Sequence, residues 1–415
     1  MTEPASLVIS GIGVVAPTGI GVAAHWKNTL DRRAGIRPVD PATAGDSGIR
    51  VAGVVSDFDP ADFVPRRLQV QTDRWCWMGL AAAEMALADA AISDFDPYRL
   101  AILTAASEGG NEYGQREIQA LWRDGPRAVS AYQSIAWFYA ALAGQVSIRH
   151  GAKGRCGVAV ADAAGGLHAA AQARRLLLRG QADHVLLGAA EAPLSPYALL
   201  CQASLGRHST AGAAAGAYLP FSEQAAGWVP GEGGAMLVLE RAETARARGA
   251  QIYAELAAVA STHDAHHPAD PPPTAAHMAA AIALALERAG VTPGEVDLVL
   301  ADGDGNRRWD ALEAEALISA LGRRAADVPV AVPKTLTGRL NSACGVLDLA
   351  WAALALFHDV VPPACEDLDG RPVIAGLDVA RAPRRDANLH TALVFTRGVG
   401  GFNAAAVLKT AGGPS

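Results

Sequence analysis

The stretch CGVAVADAAGGLHA, residues 156 to 169, has the pattern of a nucleophile turn with no nucleophile in it. Its β-permissive residues Val158 to Ala161 predict a short buried strand and Asp162 to Gly166 a tight turn. Leu167 to Leu178 (LHAAAQARRLLL) then predicts a helix, because its apolar positions recur at three and four residues. Strand, sharp turn and helix aim a side chain at a pocket. An enzyme using that geometry places Cys or Ser at the head of the helix. There the free amide N–H groups and the helix dipole lower a thiol's pKa and favour developing negative charge. This turn offers Ala163, Ala164, Gly165 and Gly166.

Outward from the turn, composition sets the bounds. A chain of 415 residues, 51% hydrophobic and 19% charged, exceeds one ordinary core and predicts two fused halves or one large two-lobed unit. A net charge of -7 argues against a nucleic-acid binder, which needs clustered Lys and Arg. No uninterrupted apolar run reaches about 18 residues, so no membrane span is expected. The start of the chain lacks a basic region followed by an apolar one, so no signal peptide is expected and a cytoplasmic location is. The five cysteines, Cys76, Cys156, Cys201, Cys344 and Cys365, form no C-x-x-C pair and read as reduced, mostly buried thiols.

In chain order, residues 6 to 15 (SLVISGIGVV) predict a first buried strand and Val22 to Leu30 a helix. Gly11, Gly13 and Gly19 miss the G-x-G-x-x-G spacing of a dinucleotide loop. Asp73 is placed to cap a helix from Arg74 to Ile92, and Leu100 to Ala105 reads as a strand. Gly109 to Trp122 (GGNEYGQREIQALW) opens a helix on which Asn111, Gly114, Ile118 and Trp122 share one face. Asn111 and Gly114 add little packing, so this is not an ordinary buried face. Asp183 to Ala189 predicts a further strand, and Tyr218 to Glu240 is a Gly-rich crossing in which Glu232 reads as structural. A second strand-led half begins at Ile252, which divides the chain into lobes 1–250 and 251–415 without a visible sequence repeat. The Pro-rich loop 261–273 holds His263, His266, His267 and Asp264, but no helix sets their spacing, so no metal site is assigned.

The central turn resembles the active-site turn of the β-ketoacyl synthases in the thiolase superfamily, roughly T-A-C-S-S-G-L-D-A. Aligned on Gly166-Leu167, the family's acyl-carrying Cys falls on Ala163. The chain length factors, or ketosynthase beta subunits, of type II polyketide synthases usually read Q-A-G-G-L-D-A here, and Ala163 stands at their Gln. Their F-G-Q-R-E-x-Q-K-L-W and Y-Q-S-I-A-W-F-Y-A segments are similar to Tyr113–Trp122 and Tyr132–Ala140. VLADGDGNRRWD (Val299 to Asp310) stands at the family's A-H-G-T-G-T-x-x-x-D, which puts its His on Asp302. KTLTGRLNSACG (Lys334 to Gly345) stands at K-x-x-x-G-H-x-x-x-A-x-G, which keeps Lys334 and puts the second His on Arg339. TRGVGGFN (Thr396 to Asn403) takes the chain-length-factor form G-x-G-G-F-N.

The resemblance implies a thiolase-like α/β fold, two similar lobes layered α-β-α-β-α. Decarboxylative Claisen condensation needs a thiolate to hold the acyl chain and two imidazoles to polarise the malonyl thioester. Ala163, Asp302 and Arg339 supply none of these, so a non-catalytic partner is implied. Its implied role is pairing with a ketosynthase alpha subunit that keeps the Cys and both His. In the family the face Asn111, Gly114, Ile118 and Trp122 lines the tunnel for a malonyl-derived polyketide chain, and its small residues, Gly114 above all, are expected to leave room for that chain. Pairing is expected through Tyr132, Gln133, Ser134, Val158 and Val160. No cofactor is expected on this chain, the phosphopantetheine of an acyl carrier protein acting on the partner. Without its Gln, no priming role carries over. Two other readings stand beside this one. One is a pseudo-ketosynthase that binds the alpha subunit or carrier protein without shaping a tunnel. The other is an acyltransferase using Cys156 or Cys201, neither of which sits at the head of the helix.

Overall fold

Two runs of strands with the same internal order meet at the centre of one sheet. The structure, a computed structural model, describes residues 6–411 apart from 269, 372 and 375. In the first half β1 (Leu7–Ala16), β2 (Leu100–Ala105), β3 (Cys156–Ala159), β4 (His184–Glu191) and β5 (Gly233–Arg241) lie in the order β3-β2-β4-β5-β1. The second half contains β6 (Ala254–His263), β7 (Leu298–Leu300), β8 (Pro329–Ala331), β9 (Asp378–Val379), β10 (Thr391–Gly398) and β11 (Phe402–Lys409). These continue the sheet as β6-β11-β10-β7-β8-β9.

With β9 set aside, each half reads first, fifth, fourth, second, third from the centre outward. The pairing senses agree too: β2 is parallel to β3 and β4, as β7 is to β8 and β10. The two first strands join antiparallel through Val8↔Glu255 and Ile9↔Ala254. The duplication that no sequence repeat reveals is therefore explicit in the topology. The halves differ at their rims, since β9 covers β8 while β3 is left as an open edge.

Seven helices matter for the site: α1 (Arg74–Asp89), α2 (Asn111–Asp124), α3 (Gly165–Leu178), α4 (Pro196–Ala203), α5 (Ala276–Ala289), α6 (Arg307–Leu321) and α7 (Cys344–His358). α1 packs on the outer face of the first half and shares a core with its strands. α5 and α6 do the same on the second half. α3 and α7 lie between the halves, in a core drawn from both. The layers are thus α-β-α-β-α. In α7 every residue from Cys344 to Leu356 is buried, which its nearly all-round apolar sequence requires. A Cβ at Gly13 would lie 2.0 Å from the Ala82 carbonyl oxygen, and one at Gly11 2.3 Å from that of Ala86. These glycines let α1 lie directly on β1.

Asp73 caps α1, its carboxylate accepting from Arg74 N at 2.7 Å, and the helix ends at Asp89, short of the expected Ile92. The expectation of a buried strand at Val158 to Ala161 is corrected. The strand is Cys156–Ala159, Val158 is half-buried and Val160 is 57% exposed, because no described strand pairs with its outer side. The helix expected from Leu167 begins at Gly165, led in by a 3₁₀ turn over Asp162–Ala164. Cys76, Cys344 and Cys365 are buried, but Cys156 and Cys201 are exposed. Among the described residues no helix is long and apolar enough to cross a membrane.

Candidate functional site

β3 delivers the chain to Asp162, which is held at φ 45°, and Ala163 follows fully buried at the head of α3. A non-glycine residue in that region costs on the order of 1 kcal/mol or more. The Asp162 carboxylate offsets part of this by accepting from Val399 N at 2.8 Å. The elbow of a nucleophile turn is therefore retained with a methyl group at its tip. The second half repeats it: Asn341 is also at φ 45°, a 3₁₀ turn spans Asn341–Ala343, and α7 starts at Cys344. Ser342 is thus the counterpart of Ala163.

Asp302 and Arg339 face each other. Arg339 Nη1 lies 3.1 Å from Asp302 Oδ2 and Nη2 lies 3.2 Å from Oδ1, a two-pronged pair with both side chains buried. Arg339 Nη2 also donates to the Arg397 carbonyl at 2.6 Å, and Asp302 Oδ1 accepts from Arg397 N at 3.1 Å. Burial opposes the ionised form of Asp302, but Arg339 and Lys334 outweigh it and hold the carboxyl below its usual range. Lys334 is buried as well, donating to Asp348 Oδ2 at 2.9 Å and to the carbonyls of Ala301 and Asp302 at 2.7 and 3.0 Å. Glu313 accepts from Asp302 N and Gly303 N at 2.7 and 2.8 Å, and burial pushes its carboxyl up to about 8.

A second ring of charge surrounds this pair. Arg207 bonds Asp304 and lies over the rings of Trp228 and Trp309, 5.0 and 4.2 Å from their centroids. Arg397 lies 3.9 Å from the Trp309 centroid and donates to Asp264 at 2.8 Å, and Asp264 also accepts from Asn403 at 2.6 Å. Asp264, read from sequence as part of a histidine loop, is therefore a buried anchor, while His266 and His267 are exposed. Among the described residues no cluster suited to a metal ion is present. Glu232 is likewise an anchor, gripping Arg74 at 2.7 and 2.8 Å and accepting from Val55 N.

Chemically, this centre binds its own charges. Arg339 stays protonated and cannot serve as a base. Asp302 is ionised and paired, and would oppose an enolate. Cys344 sits at the head of α7, but burial pushes its thiol up to about 12 despite Arg339 and Lys334 nearby. Burial also raises the Cys156 thiol, and Cys201 lies inside α4 rather than at its head.

The rim has the opposite character. On α2, Asn111 is half-buried and Gly114 buried, whereas Ile118 is 53% and Trp122 83% exposed. Gly114 is covered by Trp137: a Cβ there would meet the indole Cδ1 at 3.0 Å and Gln133 Nε2 at 3.6 Å. The room expected beside Gly114 is filled in the single chain. Tyr132 and Gln133 are half-buried and Ser134 exposed, followed by the exposed apolar residues Ile135, Trp137, Phe138 and Tyr139. With Val160 beside the open edge and Tyr197 and Leu200 on α4, they form an apolar face of the kind that marks partner surfaces.

Sequence reasoning missed Arg207, Arg397, Asp304, Glu313, Glu108 and Glu191. For Glu191 a signal existed, a carboxylate closing the otherwise apolar run VLLGAA.

The comparisons with known proteins agree with this geometry. The β-ketoacyl synthase N-terminal domain model matches residues 5–245 and the C-terminal domain model residues 253–366. The tetracenomycin polyketide synthase ketoacyl synthase beta subunit of Streptomyces glaucescens is 48% identical, covering 99% of this chain and 100% of the relative. The solved ishigamide ketosynthase/chain length factor superposes with a TM-score of 0.90 at 25% identity, over 99% of this chain and 100% of that one. A type II PKS acyl-carrier protein in complex with its ketosynthase bound to the hexaketide (AntDE:AntF) gives 0.87 at 27%, again over 99% and 100%. An elbow without its nucleophile, an ion pair where two imidazoles would stand and these full-length likenesses lead to one conclusion: the chain belongs to the β-ketoacyl synthase family, among the chain length factors, or ketosynthase beta subunits, of type II polyketide synthases.

Proposed function

We propose that the chain pairs with a catalytic ketosynthase alpha subunit, completes the tunnel for the growing polyketide at their interface and sets its length. The observation that carries this is the Asp302–Arg339 pair. Together with Ala163 it stands where the resemblance puts the family's nucleophile and both imidazoles. The open edge of β3 and the apolar face beside it supply the pairing surface, which includes Tyr132, Gln133, Ser134, Val158 and Val160. Interfaces of this permanent kind bury on the order of 2,000 Å² or more, much of it apolar. Asn111, Gly114, Ile118 and Trp122 on α2 adjoin that face and are read as the length-setting wall. The phosphopantetheine arm of an acyl carrier protein delivers malonyl units to the partner, and this chain holds no cofactor of its own.

The test is exchange. One alpha subunit is combined in turn with this chain and with another ketosynthase beta subunit, and the products are sized by mass spectrometry. Product length that follows the beta chain supports the reading. Length that follows the alpha subunit alone makes this chain a structural partner.

A further inference from the structure

Glu191 closes β4, and its side chain is wholly buried. Its Oε1 accepts from Ser107 N at 2.6 Å and from Ser342 Oγ at 2.5 Å, and its Oε2 from Glu108 N at 3.3 Å. Ser107 and Glu108 lie between β2 and α2, and Ser342 is the tip of the second elbow. Glu108 extends the connection: Oε2 accepts from Asn111 Nδ2 at 2.5 Å and Oε1 from Asn341 Nδ2 at 3.2 Å. Ser107 Oγ lies 3.5 Å from Asp162 Oδ1 of the first elbow. Two adjacent carboxyl groups thus tie the start of α2 to the second elbow, across the two halves of the fold, and Ser107 lies beside the first.

α2 needs such a tie. Only Tyr113 and Gly114 of its fourteen residues are buried, so apolar packing does little to fix it. Its other anchor at that end is Asp73, which accepts from Tyr113 N at 3.0 Å. A fully buried carboxyl group is costly to keep unless its oxygens are satisfied, and here three donors satisfy it.

We infer that Glu191 is a positioning residue for product length, fixing the start of α2, and with it Asn111 and Ile118, against the second elbow turn. This rests on the tunnel reading of α2. Glu191 and Glu108 face each other, and Glu108 also faces Asp162 and, on α4, Tyr197. Burial raises Glu191 to about 8 and Glu108 to about 7, so the tie changes charge within the working range of pH.

The experiment uses the heterodimer with its alpha subunit, carrier protein and malonyl donor, sizing products by mass spectrometry at pH 6.5 and 8.5. Glu191→Gln, Ser342→Ala and Ile118→Ala are compared with the unaltered chain. The expected result is a normal yield of heterodimer, with the share of main-length product at pH 8.5, where Glu191 is ionised, falling at least threefold for Glu191→Gln and less for Ser342→Ala. The unaltered product ratio shifts with pH, and that of Glu191→Gln shifts less. A Glu191→Gln heterodimer with unchanged products at both pH values, while Ile118→Ala changes them, overturns the inference and leaves the tunnel reading standing. Unchanged products in all three variants overturn the tunnel reading and the inference with it. Should Glu191→Gln fail to assemble, Ser342→Ala decides by the same criterion.

Discussion

The candidate site is charged and the rim beside it is apolar, the reverse of the usual partition between interior and surface. Around Ala163 the buried groups are Asp302, Arg339, Lys334, Arg207 and Arg397, each held by a partner of opposite charge. Along β3 and the segment after α2 the exposed groups are Val160, Ile135, Trp137, Phe138 and Tyr139. The difference teaches where the chemistry went. The centre neutralises its own charges, and in the proposed role the exposed apolar surface is the one that meets the alpha subunit.

The largest expected effect comes from breaking the centre. Arg339→Ala leaves Asp302 buried without its main partner, and removal of one member of such a pair costs about 3–5 kcal/mol. Replacing both, as Asp302→Leu with Arg339→Met, removes both charges but also the partners of the Arg397 N–H and carbonyl, so it is expected to cost less than Arg339→Ala alone. Denaturant unfolding of the three proteins checks this. A double variant as damaged as the single one would show that the pair is not the unit.

Next comes the rim. Trp137→Ala truncates a large exposed aromatic residue in the proposed interface, and such anchors are worth about 2 kcal/mol or more, roughly thirty-fold in affinity for the alpha subunit. The isolated chain should lose less than the complex, since Trp137 is 44% exposed there. Sedimentation of the mixed subunits separates the two effects.

On α2 the effects are smaller and read in product length. Ile118→Trp enlarges a half-exposed position and is expected to shorten products in a heterodimer of normal stability. Gly114→Ala meets the Trp137 indole at 3.0 Å, so it needs a shift of a few tenths of an ångström and is expected to cost a little stability. Gly114→Phe would have to displace that ring, at about 1–3 kcal/mol of strain.

The smallest effect is the response of stability to pH. Glu191 is protonated in the folded chain up to about 8, whereas an unfolded glutamate ionises near 4.5. Folding therefore retains a proton between those values, and this contribution to stability is lost as pH rises from 4.5 through 8. Glu240 has the opposite sign. Burial works against its charge, but hydrogen bonds from His184, Arg248 and Ser10 bring it down to about 2, so its contribution is present above about 4.5 and lost as pH falls towards 2. Thermal unfolding at pH 6 and 8 should show a shallower decline for Glu191→Gln than for the unaltered chain.

Local elements were legible in the sequence because local rules decide them. Val22 to Leu30 and Leu100 to Ala105 fall where periodicity puts them, and Asp73 caps its helix as its type predicts. The empty elbow was legible because one residue type was missing at one position. What the sequence hid is whatever depends on distant partners. That β3 is an edge follows only from the sheet order, and that Asp302 pairs with Arg339 only from the folding of one half onto the other. Gly114 looked like space because Trp137, 23 positions on, cannot be seen lying over it.

The central claim is that this chain carries no acyl group. The direct measurement is to incubate the chain alone, the heterodimer, and a heterodimer bearing Ala163→Cys with a labelled acyl carrier thioester, and to weigh each subunit by intact-protein mass spectrometry. Acylation of the alpha subunit only is expected, with no condensation by this chain even with Cys at position 163, since Asp302 and Arg339 still occupy the imidazole positions. An acyl adduct on the unaltered chain, at Cys156, Cys201 or elsewhere, that is turned over into product would contradict it.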